Sequence, residues 1–170
     1  MGLPLDRATF GRLVSDHLPA AMAFATRLTG DPEAAEEVVA EALYRAARSW
    51  RTFGGRSAFR TWLFGVVVNA FRDHAKARST GALLDEESCD ERAVDPRDQA
   101  MADELGQLIA RLVSSLPPRQ REVLVLVTYE QFSPAEVAKA VGITQANVHA
   151  TLHHARRRLK QQLAPYFAGK

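Results

Sequence analysis

The sequence predicts an all-α protein: two small helical domains joined by a flexible acidic linker. Three observations carry this. Apolar residues recur at three- and four-residue spacing in nearly every stretch outside residues 79–95, and no strand pattern of period two is present. Asp-Pro, Ser-Pro, Pro-Pro and single glycines punctuate the periodic stretches where helices start and stop. Charge changes sign along the chain: residues 1–78 hold 11 Lys and Arg against 8 Asp and Glu, residues 79–104 hold 2 against 9, and residues 105–170 hold 9 against 3. Two basic blocks around an acidic connector suit a two-module nucleic-acid binder better than a small enzyme.

Simple limits follow from composition. At 170 residues, 46% of them hydrophobic, the chain is ordinary globular protein of one domain or two small ones. No run of about 18 apolar residues exists, so membrane insertion is not expected. The N-terminus lacks the basic-then-apolar order of a secretory signal, and Asp6 stands where a lipidation motif beginning at Gly2 wants Ser or Thr. One cysteine, Cys89, excludes an internal disulfide and fits a reducing cytoplasm. Neither a catalytic set nor a cofactor or metal motif is read, so no enzyme activity is expected.

In the first domain, residues 1–78, Phe10, Leu13, Val14 and Leu18 mark a helix. Ala21, Phe24, Ala25 and Leu28 extend it past Pro19 to Gly30. Asp31 as cap and Pro32 at the first position restart a helix. Its apolar face holds Val38, Val39, Ala42, Leu43, Ala46 and Trp50, and its other face holds Glu33, Glu36, Glu37 and Glu41. That acidic face is either simply solvated or a surface for a basic protein partner. Residues 52–57, with Phe53, Gly54, Gly55 and Arg56, form a loop, and Ser57 is the expected cap of the next helix. Phe59, Trp62, Leu63, Val66, Val67, Ala70 and Phe71 give that helix its periodicity, and Arg60, Asn69, Arg72, Asp73, His74, Lys76 and Arg78 ride on it. Aromatics beside cations, fed by a glycine loop, suit single-stranded DNA. Trp62 and Phe71 read as core, whereas Phe53, in the loop, reads as a base contact.

Residues 79–95 lack periodicity and form the expected linker. The second domain, residues 96–170, opens at Asp95-Pro96 with a helix through Met101, Leu105, Leu108, Leu112 and Leu116, stopped by Pro117-Pro118. Val123, Leu124 and Val127 then recur at helical spacing. Ser133-Pro134-Ala135-Glu136 is a capping box with proline at the first helical position, and Gly142 closes that short helix. Thr144 caps the last helix, whose stripe is Val148, Leu152, Ala155 and Leu159. A short helix, a tight glycine turn and a second helix make a helix-turn-helix pattern, in which the second helix enters the major groove. Here that helix ends in Arg156, Arg157, Arg158 and Lys160, as phosphate contact requires. The alternative for this stretch is a three-helix bundle with a solvated basic end.

Taken together, LTGDPEAAEEVVAEAL, FGGRSAFRTWLFGVVVNAFRDHAKAR and LPPRQREVLVLVTYEQFSPAEVAKAVGITQANVHATLHHARRRL resemble the extracytoplasmic-function (ECF) class of bacterial sigma factors. The resemblance implies a region 2 helical bundle and a region 4 helix-turn-helix domain. It implies binding to core RNA polymerase and recognition of the −10 and −35 promoter elements, with no catalysis by this chain. It also implies an anti-sigma partner. By position, Asp31, Glu33, Glu36, Glu37, Val38 and Glu41 resemble the polymerase-docking surface. Phe53, Gly54, Gly55, Arg56, Ser57 and Ala58 resemble the loop that captures a flipped base of the −10 strand, with Asn69 beside it. Arg72, Lys76 and Arg78 are backbone contacts on the same reading. Thr144, Gln145, Asn147, His149, His153, Arg156, Arg157 and Arg158 belong to the −35 helix and its basic end.

The sequence departs from the family in two places. Ala40 precedes Glu41 where the family usually has Gln, and residues 146–151 read Ala-Asn-Val-His-Ala-Thr where Gly-Thr-Val-Lys/Arg-Ser-Arg is usual. Two other readings use part of the chain. A helix-turn-helix regulator acting without polymerase would use the second half but leaves Phe53 and the aromatic helix unexplained. A zinc hydrolase would use His149 and His153, four apart on one helix, but lacks the His-Glu-x-x-His pattern and a third ligand.

Overall fold

Asp6 starts the first helix by accepting the Thr9 N–H at 2.7 Å, and α1 runs from Arg7–Thr29 to a left-handed Gly30 at φ 73°. Pro19 lies inside it without ending it, although its ring offers no N–H to the preceding turn. Asp31 accepts the Glu33 N–H at 3.0 Å and Pro32 fills the first position of α2, Pro32–Ser49. A turn of 3-10 helix, Trp50–Thr52, follows, then α3, Phe59–Gly81. The remaining helices are α4 (Ala100–Ser114), α5 (Pro118–Thr128), α6 (Pro134–Val141) and α7 (Gln145–Phe167). This computed structural model describes residues 6–53, 57–81 and 100–168, the side chains of 80, 81 and 100–103 excepted. Every regular element among them is helical, as the periodicity requires.

Two boundaries differ from expectation. The first bond of α3 runs from the Trp62 N–H to the Ala58 carbonyl, so the helix begins one residue beyond the span that Ser57 would cap. The same helix continues through 79–81, where the linker was expected to begin. Residues 82–95, the rest of that expected linker, lie outside the described residues, as does Pro96.

The two expected helical groups share one apolar core. Phe24 and Leu28 of α1, Val38 and Val39 of α2 and Phe64, Val67, Val68 and Phe71 of α3 meet Leu116, Val123–Leu126, Phe132, Val137 and Val141. Phe64 is the hinge of this packing. Its ring stacks on Phe24 at 4.9 Å and meets Phe132 at 5.3 Å. Gly65 lets α3 approach α6 so closely that an added Cβ would stand 3.1 Å from the Ala140 carbonyl oxygen. A smaller cluster forms at the start of α3, where Phe59, Leu63 and Ala46 pack with Phe10, Leu13, Val14, Phe53 and Trp62.

The start of α6 is built as its sequence demands. Glu136 Oε2 accepts both the Ser133 N–H (2.9 Å) and hydroxyl (2.7 Å), and the Glu136 N–H returns to Ser133 Oγ at 3.3 Å. These bonds from Ser133 hold the Glu136 carboxyl below the ordinary carboxylate range. Ser133→Ala should lower stability by about 1 kcal/mol in urea unfolding at neutral pH. A lowered folded pKa contributes stability above the ordinary value and loses it as pH falls through the folded one. The gap between variant and parent should therefore shrink in acid.

Candidate functional site

The helix-turn-helix leaves the residues expected to meet −35 DNA on its solvent side. Val137, Ala140 and Val141 bury α6, and Val148 and Ala155 bury α7, with Leu152 and Leu159 packed beside them. At 3.6 residues per turn those anchors leave His153 and Arg157 on the far side and the other expected contact residues on the flanks. Gln145, Asn147, His149, His153, Arg156, Arg157 and Arg158 are all exposed. Thr144, also exposed, caps the helix by accepting the Asn147 N–H at 3.2 Å. The unsatisfied N–H groups of the first turn add a positive pole to this end. Toward the basic end, a cleft of about 360 Å³ is lined by Gln120, His154, Arg157, Arg158, Gln161 and Gln162. Its donors suit a phosphate backbone. His149 and His153 gain no further ligand: among the described residues no three of His, Cys, Asp and Glu gather as a metal would need.

The set expected around the −10 strand is brought together only in part. Gly54, Gly55 and Arg56 lie outside the described residues. Ser57 is half-buried and Ala58 exposed. The Phe53 ring is half-buried, edge-on to Phe59 at 5.7 Å and 5.4 Å from Trp62, so it belongs to an aromatic cluster with them. Phe71 is buried core, as expected, whereas Trp62 is only half-buried. Asn69 and Lys76 are exposed, seven residues apart and hence on one stripe of α3. Arg78 is exposed too, but nine residues from Asn69 puts it on the opposite side.

Arg72 requires a correction. It was expected on a DNA backbone, yet its Nε and terminal nitrogen fork onto Glu122 at 2.8 and 2.7 Å, and it also donates to the Val141 carbonyl at 3.1 Å. A carboxylate and a phosphate present a guanidinium with the same paired oxygens, so the residue type could not tell them apart.

The acidic residues of α2 are exposed, and one residue of that set requires a further correction. Glu33, Glu36, Glu37 and Glu41 are exposed, and Glu33, Glu37 and Glu41 form an i, i+4 stripe. Asp31, half-buried, serves as the helix cap. Val38 is 1% exposed and lies in the core, so it supports this surface from behind and offers a partner nothing. Glu41 pairs with Arg45 at 2.6 Å, Arg45 with Asp73 at 2.7 Å, and Glu37 faces His74 at 3.6 Å. Two buried acids escaped the sequence reading. Glu122 is 1% exposed and Glu130 7%. The one available signal was that Glu122 directly precedes the apolar run Val123–Val127.

Comparison with known proteins follows the same division. The family model for sigma-70 region 2 matches residues 13–80, and that for sigma-70 region 4 matches residues 106–159. The chain is 30% identical over 164 residues to the RNA polymerase sigma-E factor of Streptomyces coelicolor, covering 96% of this chain and 89% of that protein. It is 32% identical over 162 residues to the ECF RNA polymerase sigma factor SigL of Mycobacterium tuberculosis, covering 93% and 90%. Among solved structures, it superposes on the sigma factor RpoE in complex with the anti-sigma factor NepR from Bartonella quintana with a TM-score of 0.77, at 25% identity over 91% of this chain and 96% of that one. It also superposes on CnrH in complex with the cytosolic domain of CnrY with a TM-score of 0.67, at 26% identity over 94% and 90%.

Proposed function

The chain belongs to the ECF class of RNA polymerase sigma factors, and on that premise we propose that it docks on core RNA polymerase and brings it to promoters by binding their −10 and −35 elements. One observation carries this reading: region 2 and region 4 occur together, in that order, on a chain that spans about nine-tenths of its sigma-factor relatives. The division of labour follows from chemistry. The acidic stripe Glu33, Glu37 and Glu41 suits a basic docking surface on polymerase. Asn69 and Lys76 offer a donor and a cation to a melted −10 strand, with the loop 53–58 as the base-capturing element. The outward face of α7 reads the −35 duplex through Gln145, Asn147 and His149, while Arg156–Arg158 contact phosphates. The complex of RpoE with the anti-sigma factor NepR supports an anti-sigma protein as a further partner.

The deciding experiment is run-off transcription with core polymerase on a library of promoters. Transcripts that depend on this chain support the reading. Binding to duplex DNA with no polymerase-dependent transcript on any promoter would overturn it in favour of a stand-alone helix-turn-helix regulator.

The −35 helix carries its own prediction. His149 stands where the family has Lys or Arg, and a permanent charge there releases one more counterion from the DNA. His149→Arg should tighten binding of the −35 duplex at pH 8 and steepen its salt dependence by about one unit of slope. Unchanged affinity and slope would place residue 149 away from any phosphate.

A further inference from the structure

The cleft between α5 and α7 holds more than a DNA backbone can use. Its volume, about 360 Å³, lies within the range of small-molecule sites. His154, Arg157, Arg158 and Gln161 stand at i, i+3, i+4 and i+7, so they line one face of α7, with Gln162 beside them. Gln120, in the first turn of α5, closes the cleft from the other helix. His149, His153, Arg156 and Lys160, spaced by four, three and four, make a separate stripe of α7, turned by about 120° from the cleft.

The lining says what fits. α7 carries no Asp or Glu, and among the described residues no carboxylate pairs with Arg157 or Arg158. Two neighbouring guanidiniums without a carboxylate suit a pair of phosphate groups. α5 opens on Pro117-Pro118 with no side-chain cap, so the positive pole of that helix stands unneutralised at the Gln120 end of the cleft. The two amides ask for something else. The side-chain oxygens of Gln120 and Gln162 are buried with no hydrogen-bond partner. A buried acceptor without a donor is costly, and most such groups have a partner. A phosphodiester offers only oxygens, so it would satisfy the arginines and leave both amides unmet. A nucleotide joins phosphates to the N–H and O–H donors of a base and a ribose. The terminal torsion of glutamine is soft, so a small turn presents each oxygen to the cleft.

We infer that this cleft is a site for a nucleoside diphosphate. Arg157, Arg158 and His154 hold the phosphates, and Gln120 and Gln162 accept hydrogen bonds from the base or ribose. The bound nucleotide occupies two of the three arginines assigned to DNA phosphates, so it weakens the hold of α7 on duplex. The binding itself involves no promoter, whereas its effect on DNA rests on the proposed role of α7 at the −35 element.

The test is calorimetric titration of the full chain, without DNA, with GDP, ADP and inorganic pyrophosphate. GDP or ADP should bind at least about tenfold more tightly than pyrophosphate, the gain of two hydrogen bonds. Gln120→Met with Gln162→Met keeps size and removes both acceptors. It should abolish that preference and leave pyrophosphate binding unchanged, with an unaltered circular dichroism spectrum. Arg157→Gln with Arg158→Gln, at exposed positions, should remove binding of all three. No nucleotide binding at millimolar concentration overturns the site. So does equal binding of nucleotide and pyrophosphate, which marks an adventitious ion only, and so does a parent-like preference in the methionine variant. In a second measurement, saturating GDP should weaken −35 duplex binding by about tenfold and lower its salt slope by about two units, one for each arginine withdrawn. Unchanged duplex affinity with GDP bound overturns the effect on DNA. Run-off transcription by the parent reports separately on the sigma-factor reading, so its failure is not confused with failure of the nucleotide site.

Discussion

Reversal of Glu33, Glu37 and Glu41 to Lys should abolish capture of core RNA polymerase while leaving the helical content of the chain intact. The three acids lie on one stripe of α2, spaced so that each stands a turn above the last. Glu37 is 72% exposed and Glu41 47%, so their pairings with His74 and Arg45 are surface pairs that contribute little to folding. Glu33, in the first turn, also favours the helix dipole, and its reversal costs about 0.3–1 kcal/mol. Against these small losses stands a change of six charges on one docking surface. Placing like charges face to face costs several kcal/mol, so affinity should fall by at least about a hundredfold. Val38→Ala is the internal control. It lies in the same segment but in the core, so it should lower thermal stability and leave capture unchanged at a temperature where the variant is folded. Undiminished capture by the triple reversal would remove α2 from the docking surface.

What the sequence made legible is local. Ser133 to Glu136, Asp31-Pro32, Gly30 and Gly142 specify their turns and caps through bonds spanning four residues or fewer, and each forms as read. The exposed face of α7 follows equally from its stripe, because Val148 and Ala155 fix which side is buried. What was hidden depends on residues far apart in the chain. Glu122 looks like a solvated acid in an amphipathic helix until Arg72, fifty residues earlier, is placed against it. Arg72 in turn reads as a DNA cation because a guanidinium fork fits phosphate and carboxylate alike. Phe53, flanked by glycine, reads as a loop residue open to a base, yet Phe59 and Trp62 offer it an aromatic pocket. The packing of the two helical groups on one another was equally invisible, since each group's periodicity marks an apolar face without saying what covers it.

Phe64→Ala should be the most destabilising single substitution among those considered, and it tests that shared packing directly. Phe64 is fully buried, and nothing in its immediate sequence separates it from its apolar neighbours Leu63 and Val66. Its importance comes from position: on α3 it touches Phe24 of α1 on one side and Phe132, just before α6, on the other. Truncation removes an aromatic ring from a close-packed core and leaves a cavity, a loss of about 3–5 kcal/mol. For a chain of this length that is a fall of roughly 10 °C or more in Tm. Phe53→Ala, at a half-buried ring on the smaller cluster, should lower Tm by much less. The pair Phe64→Ala and Phe132→Ala then separates two explanations. If the rings meet in solution as they do here, the double variant should lose less than the sum of the single losses, by about 1 kcal/mol. Strict additivity would mean that Phe64 holds α3 to α1 only, and that the two regions do not share a core through these rings.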